Sequence, residues 1–153
     1  MRPAITHPQD MRPITVARPA RTEVPGIEGK YLSITSYRGD GSGVATPVWF
    51  ATEGGRLFVM THRDSGKVKR IRRNPLVSVA PCSARGHVRT EPIPGHAVIL
   101  PSNEVERVKR MIGRKYRFDL LFIRPIRAMQ RLFRPELRHE VPVILAITPI
   151  SSN

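Results

Sequence analysis

Along residues 30–37, KYLSITSY, apolar Leu32 and Ile34 alternate with Ser33 and Thr35, the period-two pattern of a half-buried strand. A Gly-rich turn, RGDGSG, follows, and then a β-branched and aromatic run, VATPVWFAT (Val44–Thr52). EGG turns the chain again and RLFVMT (Arg56–Thr61) returns, so these runs predict a three-stranded antiparallel meander. Further strands are predicted at PLVSVAP (Pro75–Pro81), a short HVRT (His87–Thr90), GHAVIL (Gly95–Leu100) and VPVILAIT (Val141–Thr148). About six strands broken by short helices predict a mainly β fold. A small barrel suits it, because closure removes the exposed edges of an antiparallel sheet.

The period changes in three places. Ser65 to Arg73 reads as a two-turn helix, capped by Ser65 or Asp64 and stopped by Asn74-Pro75. A helical insertion is expected at about 102–138. In it Ser102 can cap a helix that starts with Glu104 and Glu106 and ends with Lys109 and Arg110. A second helix carries Leu121, Ile126, Met129 and Phe133, with Arg124, Arg127, Arg131 and Arg134 on another face and Pro125 at its start or kink. Residues 1–29 are Pro-rich and lack an apolar period, and read as a mobile arm before one domain at 30–150. That arm has no signal-peptide core, and no run in the chain reaches membrane-spanning length. Met-Arg-Pro occurs at Met1 and again at Met11, and either methionine suits a start.

Charge changes the picture. The 153 residues carry 26 Lys and Arg against 12 Asp and Glu, a formal net charge of +14. Such an excess is the footprint of a nucleic-acid binder. Here, however, it is confined to Arg63–Arg73 and Arg107–Arg138. Aromatic residues make up only 6% and are not interleaved with the basic ones, so nucleic acid is not the expected partner. The single Cys82 excludes an internal disulfide and fits a reducing, cytoplasmic setting, with a small buried hydrophobe as its plain role. His7, His62, His87, His96 and His139 have no partners at metal spacing, so no metal site is expected. GDGSG at Gly39–Gly43 is a turn, and no catalytic side chain stands out.

The helix at Ser65–Arg73 holds the most chemistry. At 100° per residue Val68 and Ile71 mark its buried stripe, Lys67 falls at the stripe's edge in the first turn, and Arg72 flanks the other side. Lys69 and Arg73 point outward as a solvated face. A helix N-terminus with Ser65, Gly66 and Lys67 suits a phosphate, and a merely solvated helix is the alternative.

YLSITSYRGDGSGVATPVWFA, GGRLFVMT, SGKVKRIRRNPLVSVAPCSARG and the closing AITP resemble the split β-barrel proteins of the pyridoxamine 5'-phosphate oxidase-like superfamily. The resemblance is nearest to its oxidoreductases that use the 5-deazaflavin coenzyme F-420, and covers about Lys30 to Thr148. It implies a six-stranded, FMN-binding type of split barrel acting as a homodimer. It also implies hydride transfer between coenzyme F-420 and an electrophilic small-molecule substrate such as a quinone, enone, tetrapyrrole or nitro compound. FMN is the alternative cofactor, and a non-catalytic flavin or deazaflavin binder the alternative role. By this resemblance Lys67 meets the cofactor phosphate, with Ser65, Gly66 and Arg70 in the same turn and Thr61 beside the phosphate and ribityl chain. Thr46, Pro47, Val48 and Trp49 match the strand beside the ring system. Trp49 is equally suited to core packing or a dimer contact. For the second basic cluster a solvated face is the plain reading, and the polyglutamate tail of coenzyme F-420 or a peripheral membrane contact are weaker ones.

Overall fold

The computed structural model describes residues 24–117 and 140–150. Alternation in β1 (Tyr31–Tyr37) sends Leu32, Ile34 and Ser36 to one face, where all three are fully buried. Antiparallel neighbours β2 (Gly43–Val48) and β5 (Leu76–Cys82) flank it. The other strands are β3 (Ala51–Glu53), β4 (Arg56–His62), β6 (Ile93–Ile99) and β7 (Pro142–Pro149), with helices α1 (Gly66–Arg73) and α2 (Val105–Lys115). The described strands form one antiparallel sheet in the order β2-β1-β5-β6-β7-β4-β3.

Seven strands replace the expected six because the run Val44–Thr52 breaks after Val48. Its two halves do not continue one meander. β2 pairs with β1 at one edge of the sheet and β3 pairs with β4 at the other, joined only by Trp49 and Phe50. Consecutive strands at opposite edges force the sheet to curl into a half-barrel. Pro47 fits an edge strand, since it has no N–H to donate to a further neighbour. The expected strand at His87–Thr90 reduces to one bridge between Cys82 and Val88. Ser102 caps no α-helix: a 3-10 turn spans Ser102–Glu104, and α2 continues to Lys115, beyond the expected end at Arg110. The expected helix at Leu121–Arg134 lies outside the described residues, as does the arm up to residue 23. Val24 and Ile27, assigned to that arm, are buried in the core.

Two apolar clusters use the two faces of the sheet. Leu32, Ile34, Leu57, Val59, Val79, Leu145 and Ile147 fill one. On the other face Phe58, Ile144 and Ala146 lie under Val108 and Ile112 of α2. Gly54 and Gly55 link β3 to β4 with φ of 58° and 75°, the positive values a two-residue hairpin turn requires. None of the described helices is long and apolar enough to cross a membrane.

Tyr116, just past α2, closes the break between β2 and β3. Its hydroxyl accepts from the Phe50 N–H at 3.1 Å and donates toward the carbonyls of Lys30 at 2.5 Å and Phe50 at 3.0 Å. Its ring stacks on Trp49, centroids 4.5 Å apart and planes 4° from parallel. Lys115 sets its ammonium 3.3 Å from the centre of the Phe50 ring, and burial pulls its pKa down to about 8.

Tyr116→Phe keeps the stack but strips the buried Phe50 N–H of this partner. A buried donor left unpaired costs about 1–3 kcal/mol, so urea denaturation followed by Trp49 fluorescence should show a loss of that size. A change within about 0.5 kcal/mol, the ordinary range for a neutral surface substitution, would show that the hydroxyl does not hold the break closed.

Candidate functional site

β4 delivers the chain to α1 through a tight turn, with the Ser65 N–H donating to the His62 carbonyl at 3.1 Å. Ser65 then caps the helix, its Oγ accepting from the Val68 N–H at 3.3 Å, and the Thr61 hydroxyl lies 3.5 Å from it. First-turn N–H groups have no carbonyl four residues back, so those of Gly66 and Lys67 remain available to a ligand. Asn74 ends the helix, as expected, its N–H donating to the Arg70 carbonyl at 2.8 Å.

Lys67 does not merely edge the buried stripe. It is 8% exposed, close to Ile71 at 3% and Val68 at 0%. The ion pairs among the described residues are His62–Glu140, Arg63–Asp64 and those of Arg107 with Glu53 and Glu104, so none engages Lys67. Desolvation, and secondarily the nearby Arg70 charge, hold its pKa below the ordinary lysine value.

Arg70 is fixed from β1, its Nε donating to the fully buried Ser36 hydroxyl at 2.8 Å. Its guanidinium folds back over the start of the helix. A Cβ on Gly66 would come within 2.9 Å of the Arg70 Nη1, so glycine here makes room for the charge. Thr61, Ser65, Gly66, Lys67 and Arg70 therefore converge on one turn.

Thr46, Pro47 and Val48 lie on β2, paired with Ile34, Ser33 and Leu32. No hydrogen bond or ion pair among the described residues ties them to the α1 turn; β1 connects the two groups, with Ser36 two residues along from Ile34. Trp49 is half-buried in the β2–β3 connection, with Tyr116 stacked on one ring face.

Neither a family model nor a curated protein sequence matches the chain. Solved structures do. A candidate pyridoxamine 5'-phosphate oxidase from Listeria innocua matches with a TM-score of 0.52 at 21% identity, over 80% of this chain and 86% of its own. An F420 reductase matches with a TM-score of 0.52 at 17% identity, over 80% and 87%. The haem storage protein HutZ of Vibrio cholerae matches with a TM-score of 0.56 at 15% identity, over 82% and 84%. The fold is that of the pyridoxamine 5'-phosphate oxidase-like split barrels.

On the outer side of α1, Lys69 and Arg73 are exposed, as expected. With Gly66 and Arg70 they form one wall of a groove of about 480 Å³, whose other wall is the turn at Arg38–Asp40. Asp40 accepts from Ser42 through both its N–H at 2.9 Å and its hydroxyl at 2.6 Å, which holds the carboxyl below its usual pKa. Sequence reasoning missed Ser36 and Tyr116. The signal for Ser36 was present: a polar residue at an inward position, two past Ile34, needs a partner inside. Among the described residues no three His, Cys, Asp or Glu side chains gather as a metal site would require.

The buried ammonium sets up a testable conflict between stability and binding. A folded-state pKa below the unfolded one means that the unfolded chain holds this proton more tightly, so the charge costs stability at neutral pH. The cost is relieved as pH rises through the folded pKa toward the ordinary lysine value of about 10.4. Lys67→Met should accordingly melt at or above the wild-type temperature at pH 7 in phosphate-free buffer, with the gap closing toward pH 10. Added phosphate should raise the melting point of the wild type more than that of the variant. A variant that melts well below the wild type would make Lys67 a structural residue.

Proposed function

We propose that this split barrel binds coenzyme F-420, in preference to FMN, and is an oxidoreductase that passes a hydride between that cofactor and an electrophilic organic substrate. The observation that carries the reading is Lys67, a buried cation with no carboxylate partner among the described residues, in one turn with Ser65 and Arg70. An anion in that turn offsets the cost of burying the charge. Lys67 and Arg70 would hold the phosphate by charge-assisted bonds, with the Ser65 hydroxyl and the first N–H groups of α1 completing the cradle. Thr61 would sit beside it, and Thr46, Pro47, Val48 and Trp49 would border the ring system.

When bound, the cofactor supplies the hydride chemistry. The chain's part is to fix the phosphate end, orient the ring along β2 and keep water out, which requires no acid, base or nucleophile. The preference for coenzyme F-420 rests on TPVWF and SGKVKRIRRNP occurring together. FMN binding is the alternative that a comparison of the two cofactors separates. Because HutZ is a storage protein on this fold, a non-catalytic binder is the second reading.

A homodimer belongs to the same proposal. Leu76 and Val98 are about half exposed, at 51% and 48%. They share one face of β5 and β6, Leu76 standing opposite His96, two residues from Val98. Sedimentation at micromolar protein should show two chains per particle, and a clean monomer would remove this part.

The phosphate cradle predicts unequal effects for neighbouring cations. A hydrogen bond to a charged group is worth about 1.5–3 kcal/mol, so Lys67→Ala should weaken binding of oxidised coenzyme F-420 by about ten- to a hundredfold in a fluorescence titration. Arg72→Ala removes the same formal charge from an exposed position outside both cradle and groove, and should stay within about threefold. Equal losses would assign binding to the general positive potential, and no loss at Lys67 would leave the cradle without a role.

A further inference from the structure

We propose that the groove between α1 and the Arg38–Asp40 turn is a second anion site, which takes a diphosphate, two phosphoryl groups side by side, next to the Lys67 turn, with which it shares Gly66 and Arg70. Among the described residues its lining has four cations, Arg38, Lys69, Arg70 and Arg73, against the single carboxylate of Asp40. Three of the cations lie on one face of α1 at spacings of three and four residues, where like charges repel and destabilise the helix. None of them joins an ion pair among the described residues. Asp40, held ionised by the Ser42 N–H and hydroxyl and by the Arg38 charge, offsets only one of the four. The Nε of Arg70 is committed to Ser36, which fixes the guanidinium between this groove and the Lys67 turn and leaves Lys69, Arg73 and Arg38 as the cations particular to the groove.

The charge therefore comes from two separate elements facing a common space, and is not one helix face in water. The groove is shallow and open to solvent, about 480 Å³, which suits a small, strongly charged group rather than an enclosed ligand. Guanidinium forks match phosphoryl oxygens two at a time, and the positive excess of the lining suits more than one phosphoryl group. Lys67 is not part of this wall, since it lies toward Val68 and Ile71 on the buried side of the helix. This site does not depend on the flavin or deazaflavin reading.

The test is calorimetric titration of the full chain with inorganic pyrophosphate. One site per chain is expected, with Lys69→Gln and Arg73→Gln each weakening it about tenfold or more. Lys67→Ala and Arg72→Gln should each change it by less than about threefold. Both groove substitutions are at exposed positions, and unchanged thermal melts would show that they leave the fold intact. FAD and ADP separate the two sources of a diphosphate. If Arg73→Gln weakens FAD but not FMN, the diphosphate belongs to a bound dinucleotide; if it weakens ADP but not FAD, the diphosphate arrives free. No binding of pyrophosphate overturns the proposal. So do equal losses in all four variants, which would signal general potential, or a Lys67→Ala loss as large as that of Arg73→Gln, which would merge the groove with the first turn.

Discussion

Two consecutive strands, β2 and β3, stand at opposite edges of one sheet, and two residues, Trp49 and Phe50, span the distance between those edges. That covalent constraint forces the sheet to curl, and most of the molecule follows from it. At the break the backbone leaves the ladder, and unpaired backbone groups are costly away from water. The Tyr116 hydroxyl takes up both the N–H and the carbonyl of Phe50, while its ring covers Trp49. α2 is thereby held against the outer face of β4 and β7, where Val108 and Ile112 cover Phe58 and Ile144. The same curl lets α1, which leaves from β4 near one edge, reach β1 near the other. The bond from Arg70 to Ser36 records that approach.

The proposed binding chemistry is concentrated where α1 crosses to β1, and it works against stability. Among the described residues Lys67 is buried without an acid, Arg70 stands beside it, and Lys69 and Arg73 share the opposite face. A helix selected for stability would carry carboxylates in its first turn; α1 has none. Functional sites commonly retain such unfavourable charge because a ligand relieves it.

What could be read from the sequence was what local geometry decides. Ser65 as cap, Val68 and Ile71 as the buried stripe and Asn74-Pro75 as the stop all follow from a few neighbouring residues, and all appear in α1. The break after Val48 was not legible. VATPVWFAT is uniformly strand-like, and the change of partner from β1 to β4 is set by residues far away in the chain. Likewise the helical wheel sent Lys69 and Arg73 away from the core, which is correct, yet could not show the Arg38–Asp40 turn standing opposite them. The aperiodic arm hid Val24 and Ile27, because two isolated apolar residues give no period even where tertiary packing buries them.

The central claim is that the Lys67 turn is a phosphate cradle for a deazaflavin cofactor on this split barrel. Its most direct test is a parallel titration of the wild-type protein with oxidised coenzyme F-420 and with FMN. Saturation by coenzyme F-420 at micromolar or lower concentration, with FMN clearly weaker, is the predicted result. Tighter binding of FMN, or no binding of either, would contradict it.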